Sequence, residues 1–85
     1  MGDQLYVIES IRTHDGVPTE RHFRRKGQHV HIAHLKRGEA LVAVYVDDGG
    51  KLLRTTRVQQ IADEGDTLIV TTRNGVYTFV KEGAQ

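Results

Sequence analysis

The stretch TLIVTTRNGVYTFV, residues 67–80, decides the fold class. Two runs of β-branched, aromatic and aliphatic residues flank Asn74-Gly75, the favoured pair for a two-residue type I′ hairpin loop. Closing a hairpin there pairs Val70 with Phe79, Ile69 with Val80 and Thr72 with Tyr77. Each such cross-strand pair contributes roughly 0.2–1 kcal/mol. Upstream, residues 62–66 turn the chain, and residues 51–61 read as a long β-branched strand that carries Arg54 and Arg57. Asp47-Asp48-Gly49-Gly50 is a strong turn. EALVAVYV, residues 39–46, is apolar on both faces and reads as the most buried strand. Lys36-Arg37-Gly38 separates it from a run at residues 28–35. Lys26-Gly27 reads as a further turn, and residues 19–26 as a basic strand whose one large apolar side chain is Phe23. THDGVP, residues 13–18, turns back to a first strand at residues 4–12. No long 3.6-residue periodicity interrupts these runs. The expectation is a single all-β domain over residues 1–85, a meander of about seven antiparallel strands rolled into a barrel or sandwich. Residues 82–85 are expected to fray.

Eighty-five residues bury only about 60–65% of their unfolded surface, so the core is thin. Domains of this size usually need a staple or a partner. The sequence has no Cys, which removes the disulfide route and fits a reducing compartment. Self-association is therefore expected. No apolar run approaches the ~18 residues of a membrane span. The opening MGDQLYVIES lacks the basic start and long apolar stretch of a secretory leader. Tyr6 stands where a myristoylation signal needs Ser or Thr. The expected location is the cytoplasm, without a membrane partner.

The formal net charge of +1 conceals an uneven distribution. Residues 1–11 carry −2, residues 12–38 carry +5, and residues 39–85 carry −2; all five His lie in the basic segment. A regional excess of this kind attracts polyanions where the total would not. If Lys26-Gly27 closes a two-residue hairpin, Arg25 faces Gln28, Arg24 faces His29, Phe23 faces Val30 and His22 faces His31. Strand alternation then sends Phe23, Val30 and Ile32 to the core and puts His22, Arg24, His29 and His31 on the other face. That face admits three readings. It is a metal site at His22, His29 and His31, although Arg24 among the ligands repels a dication. It is a nucleic-acid surface, where cations hold phosphates and imidazoles stack on unpaired bases. Or it is a solvated polar face. His34 shares parity with Val30 and Ile32, which points it inward or places it beside Lys36 and Arg37.

Nothing marks an enzyme. Ser10 is the only Ser and lies in an apolar run, Cys is absent, and the glycines are scattered rather than grouped into a phosphate loop. Most acids fall in turns, where turn geometry and solubility account for them.

FRRKGQHVHIAHLKRGEALVAVYV, residues 23–46, resembles the tryptophan-activated RNA-binding attenuation proteins (TRAP). The matching residues are His29 to His31 and Leu35 to Ala43. Tyr6-Val7-Ile8 with Asp15-Gly16-Val17 is similar to that family's first strand and turn, and Thr72-Arg73-Asn74-Gly75-Val76 to its last hairpin. The resemblance spans most of the chain in the same order. It implies a small all-β subunit that joins sheets with its neighbours into a ring and binds single-stranded RNA along the rim to regulate transcription or translation. By the same resemblance the RNA-stacking Phe falls at His29, the guanine-reading Glu at Ala33, the following Lys at His34, an Asp at Lys36 and the next Lys at Arg37. Arg54, with Arg57 beside it, stands nearest the family's second basic pair. Roughly ten residues around Val58–Asp66 are extra relative to the family and lengthen one hairpin. Basic residues 21–28 replace a Thr-rich ligand loop. Tryptophan is the small ligand the resemblance implies; no other cofactor is expected.

The sequence thus names Arg24, His29, His34, Lys36, Arg37 and Arg54 as RNA-binding candidates. Single-stranded RNA is the expected partner, rather than duplex DNA. The alternative is an SH3-like or Tudor-like barrel that docks proteins, which the strand–turn–strand form of residues 38–61 also suits. A histidine-based metal protein is the third possibility.

Overall fold

A computed structural model describes residues 4–83. The N-terminal leader and acylation readings begin outside them, as do the last two residues of the tail expected to fray. The strands are β1 (Leu5–Arg12), β2 (His29–His34), β3 (Ala40–Tyr45), β4 (Leu52–Asp63), β5 (Thr67–Thr72) and β6 (Val76–Lys81), with one helix, α1 (Glu20–Arg25), between the first two. Each strand pairs antiparallel with the next, and β6 returns to β1 to close a six-stranded barrel. Val7 opposite Val80 and Ile8 opposite Phe79 make that closure. None of the helices described is long and apolar enough to cross a membrane.

Alternation builds the core. Leu41, Ala43 and Tyr45 of β3, Leu68 and Val70 of β5, and Tyr77 and Phe79 of β6 point inward, joined by Ile8, Ile11, Val30, Leu53 and Val58. Four ladders contain a register shift, in β1 at Glu9, in β2 at Ala33, and in β4 near Thr55–Thr56 and at Gln59. An extra residue bends its strand and increases twist, which lets so few strands close. The bulge in β4 also resets the alternation: Leu53 and Thr55 are buried, then Val58, so that Arg54 and Arg57 both face solvent.

The hairpin at Asn74-Gly75 forms, but displaced by two residues. Leu68 pairs with Phe79, Val70 with Tyr77 and Thr67 with Val80, in place of the expected Val70–Phe79, Thr72–Tyr77 and Ile69–Val80. An even displacement keeps every side chain on its face, so the core contents follow the expectation. Neither Asn74 nor Gly75 has the positive φ that a type I′ loop requires. Instead the Thr72 amide donates to the Gly75 carbonyl at 2.7 Å and the Gly75 amide to Thr72 Oγ1 at 3.2 Å. Glycine is needed for space: a Cβ at position 75 would lie 2.7 Å from the Arg12 carbonyl oxygen.

Residues 19–26 are not a strand, and Lys26-Gly27 does not close a hairpin. Thr19 caps α1, its hydroxyl accepting from the His22 amide at 3.1 Å. Glu20 sits in the first turn and Arg24 and Arg25 in the last, matching the helix dipole. Gly27, at φ +88°, follows the C-cap Lys26 and stops the helix. A Gly after a basic residue serves a hairpin or a helix end equally well; the Thr-x-x cap upstream selects the helix. Phe23, expected in the core, is 75% exposed, and His22, expected outside, is buried.

Candidate nucleic-acid interface

α1 is pinned across one end of the barrel. His22 Nδ1 accepts a hydrogen bond from the Ile11 amide at 3.1 Å. Arg25 donates to Asp48 at 2.8 Å and lies 4.1 Å from the Tyr45 ring centroid. Arg21 donates to the Tyr77 hydroxyl at 3.1 Å. Burial raises the Tyr45 hydroxyl above its usual range, and the Arg25 guanidinium holds the Asp48 carboxyl below its own.

Between α1 and β4 lies an open cleft of about 410 Å³. Arg21 and Arg24 line it from the helix, Arg54, Thr55 and Thr56 from β4, and Asn74 and Tyr77 from the opposite side. A second cleft of about 470 Å³ shares Thr55 and Thr56 and adds Arg57 and Arg73. Together they form a groove with arginines along it, hydroxyls at its middle and Glu20 as the one carboxylate in its lining. Among the described residues, no carboxylate pairs with Arg24, Arg54, Arg57 or Arg73. Unpaired guanidiniums can receive phosphate without first breaking an ion pair.

The six RNA-binding candidates divide by place and by partner. Arg24 and Arg54 meet in the groove. His29 does not join them: its backbone N–H and its Nδ1 both donate to Asp47 Oδ2 at 2.8 Å, with Glu82 3.7 Å from the other ring nitrogen. That hydrogen bond raises the His29 pKa, and the His29 backbone amide, first, lowers that of Asp47. At the far end of β2, Glu39 lies 2.8 Å from His34 and 3.6 Å from Lys36. Arg37, like Arg24 and Arg54, is without a carboxylate partner among the described residues, but it lines a separate cavity with Gln60, Ile61 and Ala62. Arg21, Arg57, Arg73 and Tyr77 complete the groove. Of these, Arg57 entered the sequence reading only through the family resemblance, beside Arg54, and Arg21 only as part of the basic segment 21–28; the bulge that turns Arg54 and Arg57 outward is a tertiary feature.

The expected outer face of His22, Arg24, His29 and His31 does not exist, because His22 and Arg24 belong to a helix. His22 spends its Nδ1 lone pair on the Ile11 amide, and no group of three His, Cys, Asp or Glu among the described residues is placed to hold a metal ion. His31 keeps its strand position with a buried Nδ1 that has no hydrogen-bond partner.

His22 carries a pH dependence. Burial first, then Lys26 and Arg12, lowers its pKa below the ordinary value. A depressed base favours the fold while neutral, so this contribution is intact above the unfolded pKa of about 6.5 and is lost as pH falls through the lower, folded value. His29 runs oppositely: its raised pKa favours the fold below about 6.5 and that benefit fades as pH rises through the folded value. His22→Gln retains an acceptor for Ile11 and removes one titration. Urea midpoints measured from neutral pH into mild acid should therefore fall less for H22Q than for the wild type; parallel curves would show that His22 protonation does not load the fold.

No protein-family model, curated protein or solved structure matches the chain.

Proposed function

We propose that this protein binds single-stranded RNA along the arginine groove, as a regulatory binding protein rather than an enzyme. The observation that carries the reading is the convergence of Arg24 and Arg54, from a helix and a distant strand, in one cleft continued by Arg57 and Arg73. Four guanidiniums without carboxylate partners line the two adjoining clefts as an anion site, and Thr56 and Asn74 add neutral hydrogen-bonding groups. The TRAP resemblance supports the same partner and a role in controlling gene expression from RNA. It also supports self-association, here through outer faces, since β1 and β6 pair within the chain. Fluorescence anisotropy with a labelled oligoribonucleotide tests the groove. Affinity should fall as salt rises, with a log–log slope of about −3 if all four arginines meet phosphates, at ~0.7 per contact. Affinity that stays unmeasurable at low salt overturns the proposal.

One observation favours a second reading, docking of a protein segment. A cleft of about 280 Å³ is lined by Tyr6, Ile32, Leu35, Ile61 and Leu68, with Gln4 and Asp63 as its polar members. A chain that ignores RNA and stays monomeric by native mass spectrometry would move the assignment to that cleft.

A further inference from the structure

We infer that Phe23 is the stacking platform for an unpaired nucleobase of the strand held in the groove, an inference that rests on the RNA reading above. Phe23 is 75% exposed, more than the other exposed large apolar side chains, Val17, Val46, Leu52 and Ile61. It contributes little to the core, yet it sits on an element held firmly in place. The Thr19 cap, the His22–Ile11 bond, the Arg25–Asp48 ion pair and the Arg21–Tyr77 bond fix α1 from four sides. The His22 ring stands at 88° to the Phe23 ring with centroids 5.2 Å apart, supporting it at one edge. A ring presented this way has little freedom left to lose on stacking.

Its neighbours fix the kind of partner. Arg24, the next residue, shares the exposed crest of α1 and leans into the groove. Glu20, one turn before, also lines that groove. Phe23 is not itself among the groove's lining residues; it is the chain neighbour of Arg24, which with Arg54 attracts phosphate into the groove. A strand whose phosphates lie on Arg24 and Arg54 can turn an uncharged base outward onto the exposed Phe23 ring beside them in the chain. Every nucleobase has a π-face, so such a platform tolerates sequence. Bases stacked inside a duplex are withheld from it, so the platform selects single strands.

The chain contains no Trp, so Phe23→Trp installs a lone fluorophore at the platform. Single-stranded oligoribonucleotide should quench F23W, whereas an abasic strand of equal length should bind through phosphates without quenching. Phe23→Ala, an exposed change that should leave far-UV circular dichroism unaltered, should weaken RNA binding roughly fivefold to hundredfold. Its salt slope should stay at the wild-type value, because no phosphate contact is removed. If F23A binds RNA as tightly as the wild type and F23W is not quenched, the platform is overturned while the groove reading stands. Equal quenching by duplex RNA overturns the single-strand selection. Loss of self-association in F23A with intact RNA affinity assigns Phe23 to a subunit contact instead. Absence of RNA binding by the wild type overturns both readings.

Discussion

Phe79→Ala is expected to remove a large share of the fold's stability, about 3–5 kcal/mol. Phe79 is fully buried on β6, the strand that closes the barrel against β1. It pairs across the strands with Ile8 and Leu68 and meets the Tyr6 and Tyr77 rings at centroid distances of 6.2 and 6.4 Å. Truncating a buried Phe costs about 3–5 kcal/mol. A domain of this size holds about 4–13 kcal/mol in total, at roughly 0.05–0.15 kcal/mol per residue. The cavity would lie where two ladders and both ring contacts converge, and a thin barrel wall has few other side chains to collapse into it. Urea unfolding followed by circular dichroism measures the loss. A shift below about 1 kcal/mol would mean that closure does not depend on this ring.

The second large effect is on binding. Arg24→Gln together with Arg54→Gln should lower RNA affinity by roughly two to four orders of magnitude at low salt. Each charge-assisted hydrogen bond contributes about 1.5–3 kcal/mol, and each 1.4 kcal/mol is tenfold. The log–log salt slope should flatten by about 1.4 for two lost phosphate contacts. Both side chains are exposed and neither takes part in an ion pair among the described residues, so the fold should survive, as circular dichroism can verify. Lys36→Gln is the informative control, because Glu39 already sits 3.6 Å from its ammonium. It should change affinity little. A Lys36 effect as large as that of the arginine pair would place the RNA at the end of β2 instead of in the groove.

Why the two sets of candidates differ is a matter of range. The +5 excess over residues 12–38 is real, but charge counted along the chain does not record which cations already have a partner. Asp47 and Glu39 come from the segments flanking β3, and antiparallel pairing brings them to the two ends of β2, where they engage His29, and His34 with Lys36. Arg24, Arg54, Arg57 and Arg73 have Thr, Asn and Tyr rather than Asp47 or Glu39 beside them in the clefts they line, while Arg37, also without a carboxylate partner among the described residues, stands apart from them.

Short-range signals read well where one physical requirement had one solution. The period of two along residues 67–80 put Leu68, Val70, Tyr77 and Phe79 on one face, and a two-residue shift in register could not move them. The doubly apolar run at residues 39–46 became β3, which buries one face only, Leu41, Ala43 and Tyr45 pointing inward. Signals that serve two structures misled. Gly27 satisfies a hairpin or a helix end, and Phe23, His22 and Arg24 changed faces with that choice.

By itself, then, the sequence determined that the chain is all-β and regionally basic, because alternation and turn chemistry act over a few residues. Only the tertiary structure decided that six strands close on themselves, that a pinned helix exposes Phe23, and that a bulge at Thr55–Thr56 turns Arg54 and Arg57 to the same solvent. Those features depend on which strand lies beside which, and a local pattern carries no information about that.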